Sequence, residues 1–497
     1  MSARPRLVFL ALSAGLFAGC AVGPDYRPPD IALTPDFVGQ TRIANRELEG
    51  FTDLRAWWVA FGDALLTRYV AVALEQNLAI AQAGARVAQA RASLRLSTSA
   101  LLPSVNGNAQ AVKAYQSIET PLGQILSSSP DFDRSGNYYE ADLGASWELD
   151  VFGGLRRGRQ AARADYQASA AGAVATRLAV AAQTADVYVT IRGLQARIAI
   201  AREQAATRRQ LLSIVKLQYD KGVASELQVR QVEGSLAQVE AQIPVLDAGL
   251  DAAMNALDVV LGTQPGTHRA ELTAVAAIPM APDISDAGAP ADIIRRRPDL
   301  IVAERHLAAA NARIGVAVSE YYPKFSLAAL LGSATALSSG NLFTSGASQH
   351  QSVLGLRWRL FDFGRVEAQI AAARGKTAES LAAYRLAVLK ATEEVENSFS
   401  ALVNRETQVD ILIRGEASLS RARESSLGAY KGGVVSLIEV LDADANLLQV
   451  RDAKAQAQTE AARAAVASFR ALGGGWDAPN ASGSNGLYSN LSSSDRR

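Results

Sequence analysis

The chain is poor in the residues on which most chemical sites depend. Its 497 residues include one cysteine, Cys20, and three histidines, which lie far apart without metal-ligand spacing. A single cysteine excludes an intrachain disulfide. The 50 Lys and Arg residues nearly balance the 49 Asp and Glu residues, so a nucleic-acid partner has no electrostatic support. We therefore expect no metal site, no bound cofactor and no nucleic-acid partner.

Two short segments resemble catalytic motifs but lack the required context. Gly375-Lys-Thr resembles the end of a phosphate-binding loop, yet Ile370 occupies the place of the first glycine and no strand precedes it. Ser213-Ile-Val-Lys matches a serine hydrolase motif inside a predicted helix. A periplasmic hydrolase would also need a pocket with a base and a nucleophile, which the sequence does not show. No catalytic residues are predicted, and the chain is not expected to be an enzyme.

A long apolar run is absent beyond the first residues. Past Cys20 there is no stretch of about 18 apolar residues, so no transmembrane helix is predicted. If the chain crosses a membrane, it must therefore use strands.

The N-terminus has the pattern of a secretory signal. Two arginines precede the apolar run 7–17, and Ala18-Gly19-Cys20 follows it. This order predicts a bacterial lipoprotein signal peptide that is cleaved before Cys20, which is lipidated as the new N-terminus; the alternative is a buried thiol in an anchoring helix. Phe17 departs from the Leu usual in the cleavage motif. Ala21, in place of the Asp associated with inner-membrane retention, predicts sorting to the outer membrane.

Two landmarks recur at a fixed distance. Trp147 is followed by Leu-Asp-Val-Phe-Gly and Trp358 by Leu-Phe-Asp-Phe-Gly; further on, Tyr219 opens Tyr-Asp-Lys-Gly-Val-Ala-Ser and Tyr430 opens Tyr-Lys-Gly-Gly-Val-Val-Ser. Both pairs are separated by 211 positions. A repeat kept in register over this length predicts a duplicated structural unit.

The segments between these landmarks contain no proline. Each holds about 70 residues rich in helix-forming types and could extend on the order of 100 Å as a helix. In the first segment, the apolar residues from Leu178 to Tyr219 are spaced mostly by three and four, with Arg208 as the one interruption. This spacing is typical of a coiled-coil-like seam. We expect long helices packed side by side in a bundle.

Alternation with a period of two appears beside both tryptophans. From Tyr138 to Asp150 the odd positions are apolar and most even positions are polar; Leu354, Leu356, Trp358 and Leu360 form one face in the second half. This pattern fits barrel strands with a lipid face and a wet lumen. The segments 104–115 and 324–335 alternate less cleanly but complete a set of four strands. The polar segments 117–136 and 338–349 then become external loops.

Four strands are too few to close a barrel. About eight is the minimum, and open sheet edges are not tolerated in lipid, so the chain must oligomerise. Two copies would give a narrow barrel of eight strands, whereas three would give twelve strands and leave room for an aqueous lumen. Trp147 and Trp358 lie where each strand meets its long helix. This place suits a membrane-interface aromatic girdle, the alternative being ordinary core packing.

A set of short motifs occurs in a specific order along nearly the whole chain. The motifs are Cys20-Ala-Val-Gly-Pro-Asp-Tyr26 with Pro28, Trp57-Trp58, Phe61-Gly-Asp63, Asn77, Arg297-Pro-Asp299, Ala303-Glu304, Tyr322-Pro323 and Ala471-Leu-Gly-Gly-Gly-Trp476. In these motifs the sequence resembles the outer membrane factor family, the TolC-like efflux channels, and in particular its NodT-type lipoprotein branch.

The resemblance implies a mixed α and β membrane protein. Three protomers each give four strands to one shared 12-stranded transmembrane β-barrel, which a long periplasmic α-helical barrel continues. The protein would lie in the cell outer membrane, anchored by a lipid on Cys20, and extend into the periplasm. With a periplasmic adaptor protein and an inner-membrane transporter of the resistance-nodulation-division type, it would form a tripartite pump.

The expected function is a passive exit duct for small molecules such as drugs and toxic compounds. The alternatives are a type I protein-secretion conduit and a non-conducting, envelope-spanning structural coiled coil. The lipoprotein signal and the NodT-like motifs favour small-molecule efflux, and the alternating strands disfavour the structural coiled coil.

The repeated turns match the helical hairpin ends at which adaptors dock in this family, although a glycine past a helix end is also an ordinary C-cap. The residues predicted at these docking tips are Tyr219, Gly222, Val223, Tyr430, Gly433 and Val434. The resemblance also implies a periplasmic gate. Glu439 and Asp442 share a helix face, and in a trimer each would form an acidic ring that favours cations; the alternative is a solvated outer face. Gln228, the repeat partner of Glu439, is neutral where a channel of known type has an acid, and Val435 replaces an Arg that latches that channel shut, so the closing bonds are expected to differ here.

The sequence divides into ten segments on these grounds. They are a lipoprotein signal peptide (1–19), an N-terminal lipid-anchored extended segment (20–62), short helices of the first half (63–102), a first barrel hairpin (103–152), a first long coiled-coil helical hairpin (153–262), an equatorial linker (263–298), a short helix of the second half (299–322), a second barrel hairpin (323–363), a second long coiled-coil helical hairpin (364–472) and a C-terminal tail (473–497).

Overall fold

The computed structural model describes residues 21–44, 53–282, 284 and 290–476. Cys20, the predicted signal peptide at 1–19 and the part of the predicted tail beyond residue 476 lie outside the described residues. The chain divides into two compact units. Among the described residues, one unit takes 21–29, 88–168 and 304–383, and the other takes those within 30–87, 169–303 and 384–476. Each half of the internal repeat therefore contributes to both units.

The first unit is built on one antiparallel sheet of four strands in chain order. The strands are β1 (Ser104–Tyr115), β2 (Ser135–Leu149), β3 (Lys324–Thr335) and β4 (Ser348–Arg357). Residue pairs such as Ala109↔Ala141, Leu143↔Leu331 and Leu331↔His350 fix the register. The strand predicted through Leu360 ends instead at Arg357, so Trp358 follows β4 rather than belonging to it.

The two faces of this sheet differ in chemistry. Leu143, Leu331 and Leu354 lie on one face and are exposed. On the other face the Gln110 side chain bonds to Glu140, and the Gln349 amide donates to Asp142 Oδ1 at 2.9 Å. Because side chains alternate across a strand, the alternation read from the sequence becomes one apolar and one polar face.

The helices are numbered in chain order. They are α1 (Gln40–Ala44), α2 (Ala64–Gln76), α3 (Leu78–Ser99), α4 (Pro121–Ser127), α5 (Gly154–Asp220), α6 (Glu226–Glu240), α7 (Gln242–Val260), α8 (Arg269–Leu272), α9 (Pro290–Arg296), α10 (Pro298–Ser319), α11 (Arg365–Lys431) and α12 (Leu437–Ala471). Helix α4 lies in the segment predicted as the first external loop. In the described part of the chain, no helix is long and apolar enough to span a bilayer.

The two long helices have the same length. Helices α5 and α11 each contain 67 residues, which corresponds to about 100 Å at 1.5 Å per residue. Their return arms differ: α12 is continuous over 35 residues, whereas the first arm breaks at Ala241 between α6 and α7. Pro244 explains the break, because proline cannot donate the backbone hydrogen bond that a continuous helix requires there. Its repeat partner, Ala455, is buried inside α12.

Motif residues of the first half hold the ends of short helices in the second unit. Asp63 caps α2 by accepting the backbone N–H groups of Leu65 and Leu66 at 2.9 and 3.0 Å. Asn77 ends this helix, and its side-chain oxygen accepts the N–H of Ala79 at 2.8 Å at the start of α3. Motif positions in this segment therefore act as helix caps.

An aromatic and polar core lies beside these caps. The Trp57 ring stacks on Phe469 with centroids 5.4 Å apart. The Tyr188 hydroxyl donates to Asp63 Oδ2 at 2.7 Å and accepts from Arg192 Nε at 3.1 Å. Burial, together with the Asp63 carboxylate, raises the pKa of Tyr188 to about 12.

Candidate gate and docking tips

The turn that ends α5 and the turn that ends α11 have the same backbone. In the first, Gly222 has φ +75, its N–H donates to Tyr219 O at 2.9 Å, and the Val223 N–H donates to Gln218 O at 2.8 Å. These bonds form a Schellman motif, which needs a left-handed residue that glycine adopts without strain.

The second turn repeats the motif 211 positions later. Gly433 has φ +74 and donates to Tyr430 O at 3.0 Å, while Val434 donates to Ala429 O at 2.9 Å. The two helix tips are therefore equivalent in backbone geometry as well as in sequence.

The next helices start with matching caps that the sequence analysis missed. Ser225 precedes α6, and Gln228 Oε1 accepts its backbone N–H at 2.9 Å. Ser436 precedes α12, and Glu439 Oε1 lies 3.5 Å from its backbone nitrogen. The signal was present in the sequence, because Ser followed three residues later by Gln or Glu is a capping box.

The tips combine a small apolar core with exposed apolar side chains. Leu211, Val215, Val229, Val232 and Leu437 form the buried core, which joins the two hairpins. The exposed apolar side chains of this region include Val223 and Leu227 in the first hairpin and Val434 and Ile438 in the second; Val223 and Val434 are 77% and 80% exposed. Each tip thus presents one exposed valine in its turn and one exposed apolar residue in the first turn of the helix that follows.

The two tip tyrosines have different surroundings. The Tyr430 hydroxyl donates to Gln218 Oε1 at 2.9 Å, and its ring packs against the tip core. Tyr219 is exposed. One member of the repeat pair therefore ties the two hairpins of the chain together, and the other lies on the surface.

The acidic residues predicted for the gate lie on the first turns of α12. Glu439 and Asp442 are both exposed and three positions apart. The Asp442 carboxylate accepts from the Asn446 amide at 3.2 Å. Gln228 is half-buried at the matching place on α6. Glu439 and Gln228 thus contact the caps of their own helices, while Asp442 keeps an exposed charge.

A buried charge cluster includes Asp444, two residues after Asp442. Asp444 is 2% exposed and Arg208 is 4% exposed. The Arg423 Nε donates to Asp444 Oδ1 at 3.1 Å, whereas Arg208 Nε has no hydrogen-bond partner among the described residues. Burial lowers the pKa of Arg208, and the nearby Asp444 charge opposes that shift. The interruption of the apolar seam is therefore an arginine buried close to an acid.

The repeat partner of Asp444 has a different environment. Glu233 lies on the surface of α6, with Lys216 Nζ and Arg230 Nη1 each 2.9 Å from a carboxylate oxygen. These two cations hold the pKa of Glu233 below its usual range. The charge is kept in both repeats, but only the second copy is buried.

In the first unit, the two repeat tryptophans make the same contact. Trp147 Nε1 donates to Leu101 O at 2.9 Å, and Trp358 Nε1 donates to Tyr321 O at 3.0 Å. Leu101 lies three residues before the start of β1, and Tyr321 lies three residues before the start of β3. Both rings remain partly exposed, as residues of an interfacial girdle would be.

Among the described residues, no group of three or more His, Cys, Asp or Glu side chains is arranged to hold a metal ion. Cys20, the predicted lipidation site, lies outside the described part. The chemistry of the described tips consists of exposed apolar contacts, exposed carboxylates and helix caps.

Comparison with known proteins identifies the family to which this fold belongs. The Outer membrane efflux protein family model matches residues 70–263 and 289–474. Nodulation protein T of Rhizobium leguminosarum bv. trifolii is 29% identical over 472 residues, with 93% of this chain and 96% of that protein covered. The Pseudomonas putida pyoverdine export outer membrane protein OpmQ is 30% identical over 478 residues, covering 95% of this chain and 98% of that protein.

A solved structure agrees with this assignment. The outer-membrane channel OprN matches with a TM-score of 0.84 and 30% identity, over 92% of this chain and all of the OprN chain. The fold is thus that of an outer-membrane channel protein, of mixed α and β structure with long helices. The chain belongs to the outer membrane efflux protein family. It is accordingly an outer-membrane component of an efflux system.

Proposed function

We propose that three copies of this chain form a passive exit duct of a tripartite efflux pump. The observation that carries the proposal is the four-stranded sheet with one exposed apolar face and two strand edges, β1 and β4, without a neighbour in the described chain. Open edges are not tolerated in lipid, so the sheet must close with further strands. Three copies supply twelve strands, enough for an aqueous lumen.

The long helix pairs continue this duct into the periplasm as an α-helical barrel. Trp147 and Trp358 lie at the membrane interface. A lipid on Cys20 anchors each protomer in the outer membrane. The transported compounds are small molecules, and the choice among them is made by the inner-membrane transporter, because a wide duct offers few specific contacts.

The hairpin tips form the docking surface for a periplasmic adaptor protein. Val223, Leu227, Val434 and Ile438 support this role, because exposed apolar side chains grouped at one place mark interaction sites. Tyr219, which is exposed, lies beside the first pair, and Gly222 and Gly433 fix the turns that present the valines. Adaptor binding splays the tips and opens the duct.

The gate consists of the rings that Glu439 and Asp442 form in the trimer, with Gln228 as their neutral counterpart. Three carboxylates of one sign repel each other and favour cations. Since Val435 provides no latching charge, closure depends on packing and on contacts within the tips, among them the Tyr430 to Gln218 hydrogen bond.

Conductance in planar lipid bilayers tests both the duct and the gate. The purified, lipidated protein should have the mass of a trimer in detergent and give discrete channel steps. Replacing Glu439 and Asp442 together with Ala should raise single-channel conductance and reduce cation preference. Glu424→Ala is the matched control, since Glu424 is an exposed acid on α11 close to the same tip.

Two results would contradict the proposal at different levels. A monomer without channel activity would remove the duct. A conducting trimer whose conductance and ion preference are unchanged in the double variant would leave the duct in place but put Glu439 and Asp442 outside the constriction.

A further inference from the structure

The two junctions between strand and long helix share a glycine conformation and a tryptophan hydrogen bond. After β2, Gly153 has φ +80, and after β4, Gly364 has φ +85, again 211 positions later. The hydrogen bonds of Trp147 and Trp358 to the chain before the preceding strand are also equivalent. The first junction is therefore a template for what the second should contact.

At the first junction an aromatic residue covers the start of the next strand. Phe152, which follows β2, stacks on Tyr322 with ring centroids 4.6 Å apart and an interplanar angle of 24°. Tyr322 lies two residues before Lys324, the first residue of β3, and β3 is the strand that pairs with β2. The contact thus seals the boundary between two neighbouring strands at one end of the sheet.

At the second junction the equivalent aromatic has no such cover. Phe363, the repeat partner of Phe152, follows β4 and is fully exposed at 104%. It is also the one non-glycine residue of the described chain with a positive φ, +52, a conformation that a Phe rarely adopts. Among the described residues, the exposed ring of Phe363 therefore has no packing that compensates for its backbone conformation.

The residue that lies before β1 as Tyr322 lies before β3 is also exposed. Leu102 lies two residues before Ser104, the first residue of β1, and is 63% exposed. Strands β2 and β4 run in one direction and β1 and β3 in the other. If β4 pairs with β1 of another copy, the pair is antiparallel, and Phe363 and Leu102 come to the same end, as Phe152 and Tyr322 do.

We propose that Phe363 of one copy packs on Leu102 of the next copy and seals each boundary between protomers. This inference rests on the trimer of the proposed function and names a contact within its interface. The occupant of both exposed apolar sites is a second copy of this chain. The contact buries the ring, which offsets the unfavourable backbone conformation of Phe363.

Cysteine pairing tests the contact directly, because the only native cysteine is Cys20. The full chain carrying Leu102→Cys and Phe363→Cys is oxidised with copper phenanthroline in the membrane and analysed by non-reducing gel electrophoresis. Dimer and trimer bands are expected. Each single variant is a control for Cys20, and the pair Phe152→Cys with Tyr322→Cys should close within one chain and give no such bands.

A second measurement avoids the introduced thiols. Phe363→Ala should shorten the lifetime of the trimer in sodium dodecyl sulfate about tenfold, as loss of an aromatic interface anchor does. Phe343→Ala is the matched control, since Phe343 is 83% exposed in the loop between β3 and β4.

The outcomes separate this inference from the proposed function. A trimer in which the Phe152 and Tyr322 pair closes, but the Leu102 and Phe363 pair does not, would overturn the contact and leave the trimer standing. Equal trimer lifetimes for Phe363→Ala and Phe343→Ala would also count against it. A wild-type protein that is monomeric in the membrane would overturn both.

Discussion

Replacing Asp444 with Asn should loosen the hairpin tips. The change removes the acidic charge that Arg423 contacts at 3.1 Å and that lies near the buried Arg208. Removing one partner of a buried ion pair typically costs about 3–5 kcal/mol. The Arg423 side chain is 29% exposed, so water compensates for part of the loss. We expect a cost of about 2 kcal/mol in the local opening free energy.

Hydrogen exchange of the backbone amides measures this opening. A cost of about 2 kcal/mol corresponds to exchange about 30-fold faster, and the effect should be confined to the tip segments 204–220 and 437–447. Asp442→Asn is the control, because Asp442 lies on the same helix but is exposed. It should leave exchange in these segments almost unchanged.

A second substitution tests the cause. Combining Asp444→Asn with Arg208→Met removes the uncompensated buried charge as well, and replacing buried ionic groups by apolar ones is often neutral or stabilising. The double variant should therefore exchange more slowly than Asp444→Asn alone. Exchange that is equal in Asp444→Asn and Asp442→Asn, or faster still in the double variant, would refute the argument that Asp444 compensates Arg208.

Two further perturbations test other parts of the chain. The pKa of Tyr188 is about 12 in the folded protein and about 10 in an unfolded chain. The contribution of Tyr188 to the free energy of unfolding is therefore complete below pH 10, and about 2 kcal/mol of it is lost as the pH rises towards 12. Tyr188→Phe should show a smaller alkaline drop in the temperature at which helical circular dichroism is lost; an identical drop would exclude this cause. Gly433→Ala should cost about 1 kcal/mol, because φ is +74 there, and should speed protease cleavage at the second tip, whereas Gly428→Ala, inside α11, should not. Equal cleavage of the two variants would contradict a strained left-handed position.

The sequence predicted the strands and tips because their patterns are local. Alternation around Trp147 and the repeated Tyr to Ser segments each identify one element, and the structure has strands and turns at these places. The predicted end of β4 was wrong by three residues. Trp358 and Leu360 continue the apolar alternation, but the Trp358 side chain donates to Tyr321 O, outside the hydrogen-bonded strand pairing of β3 and β4. Period-two patterning cannot show where pairing stops.

Contacts between distant segments were not predictable from one sequence. Arg208 was visible as an interruption of the seam, but its proximity to Asp444 depends on how two hairpins pack. The caps at Ser225 and Ser436 could have been found from their spacing. The roles of Glu439, Asp442 and Gln228 as a gate, the tips as docking sites and the lipid on Cys20 stay predictions.

The equal length of α5 and α11 has a mechanical consequence. Both tips share one apolar core, in which Leu437 of the second hairpin meets Val229 and Val232 of the first. Deleting seven residues from one long helix and from its return arm would move that tip by about 10 Å and pull Leu437 away from its neighbours. The contacts of the shared core therefore require equal lengths of α5 and α11. The hairpins can be lengthened or shortened only if both change by the same number of helical turns.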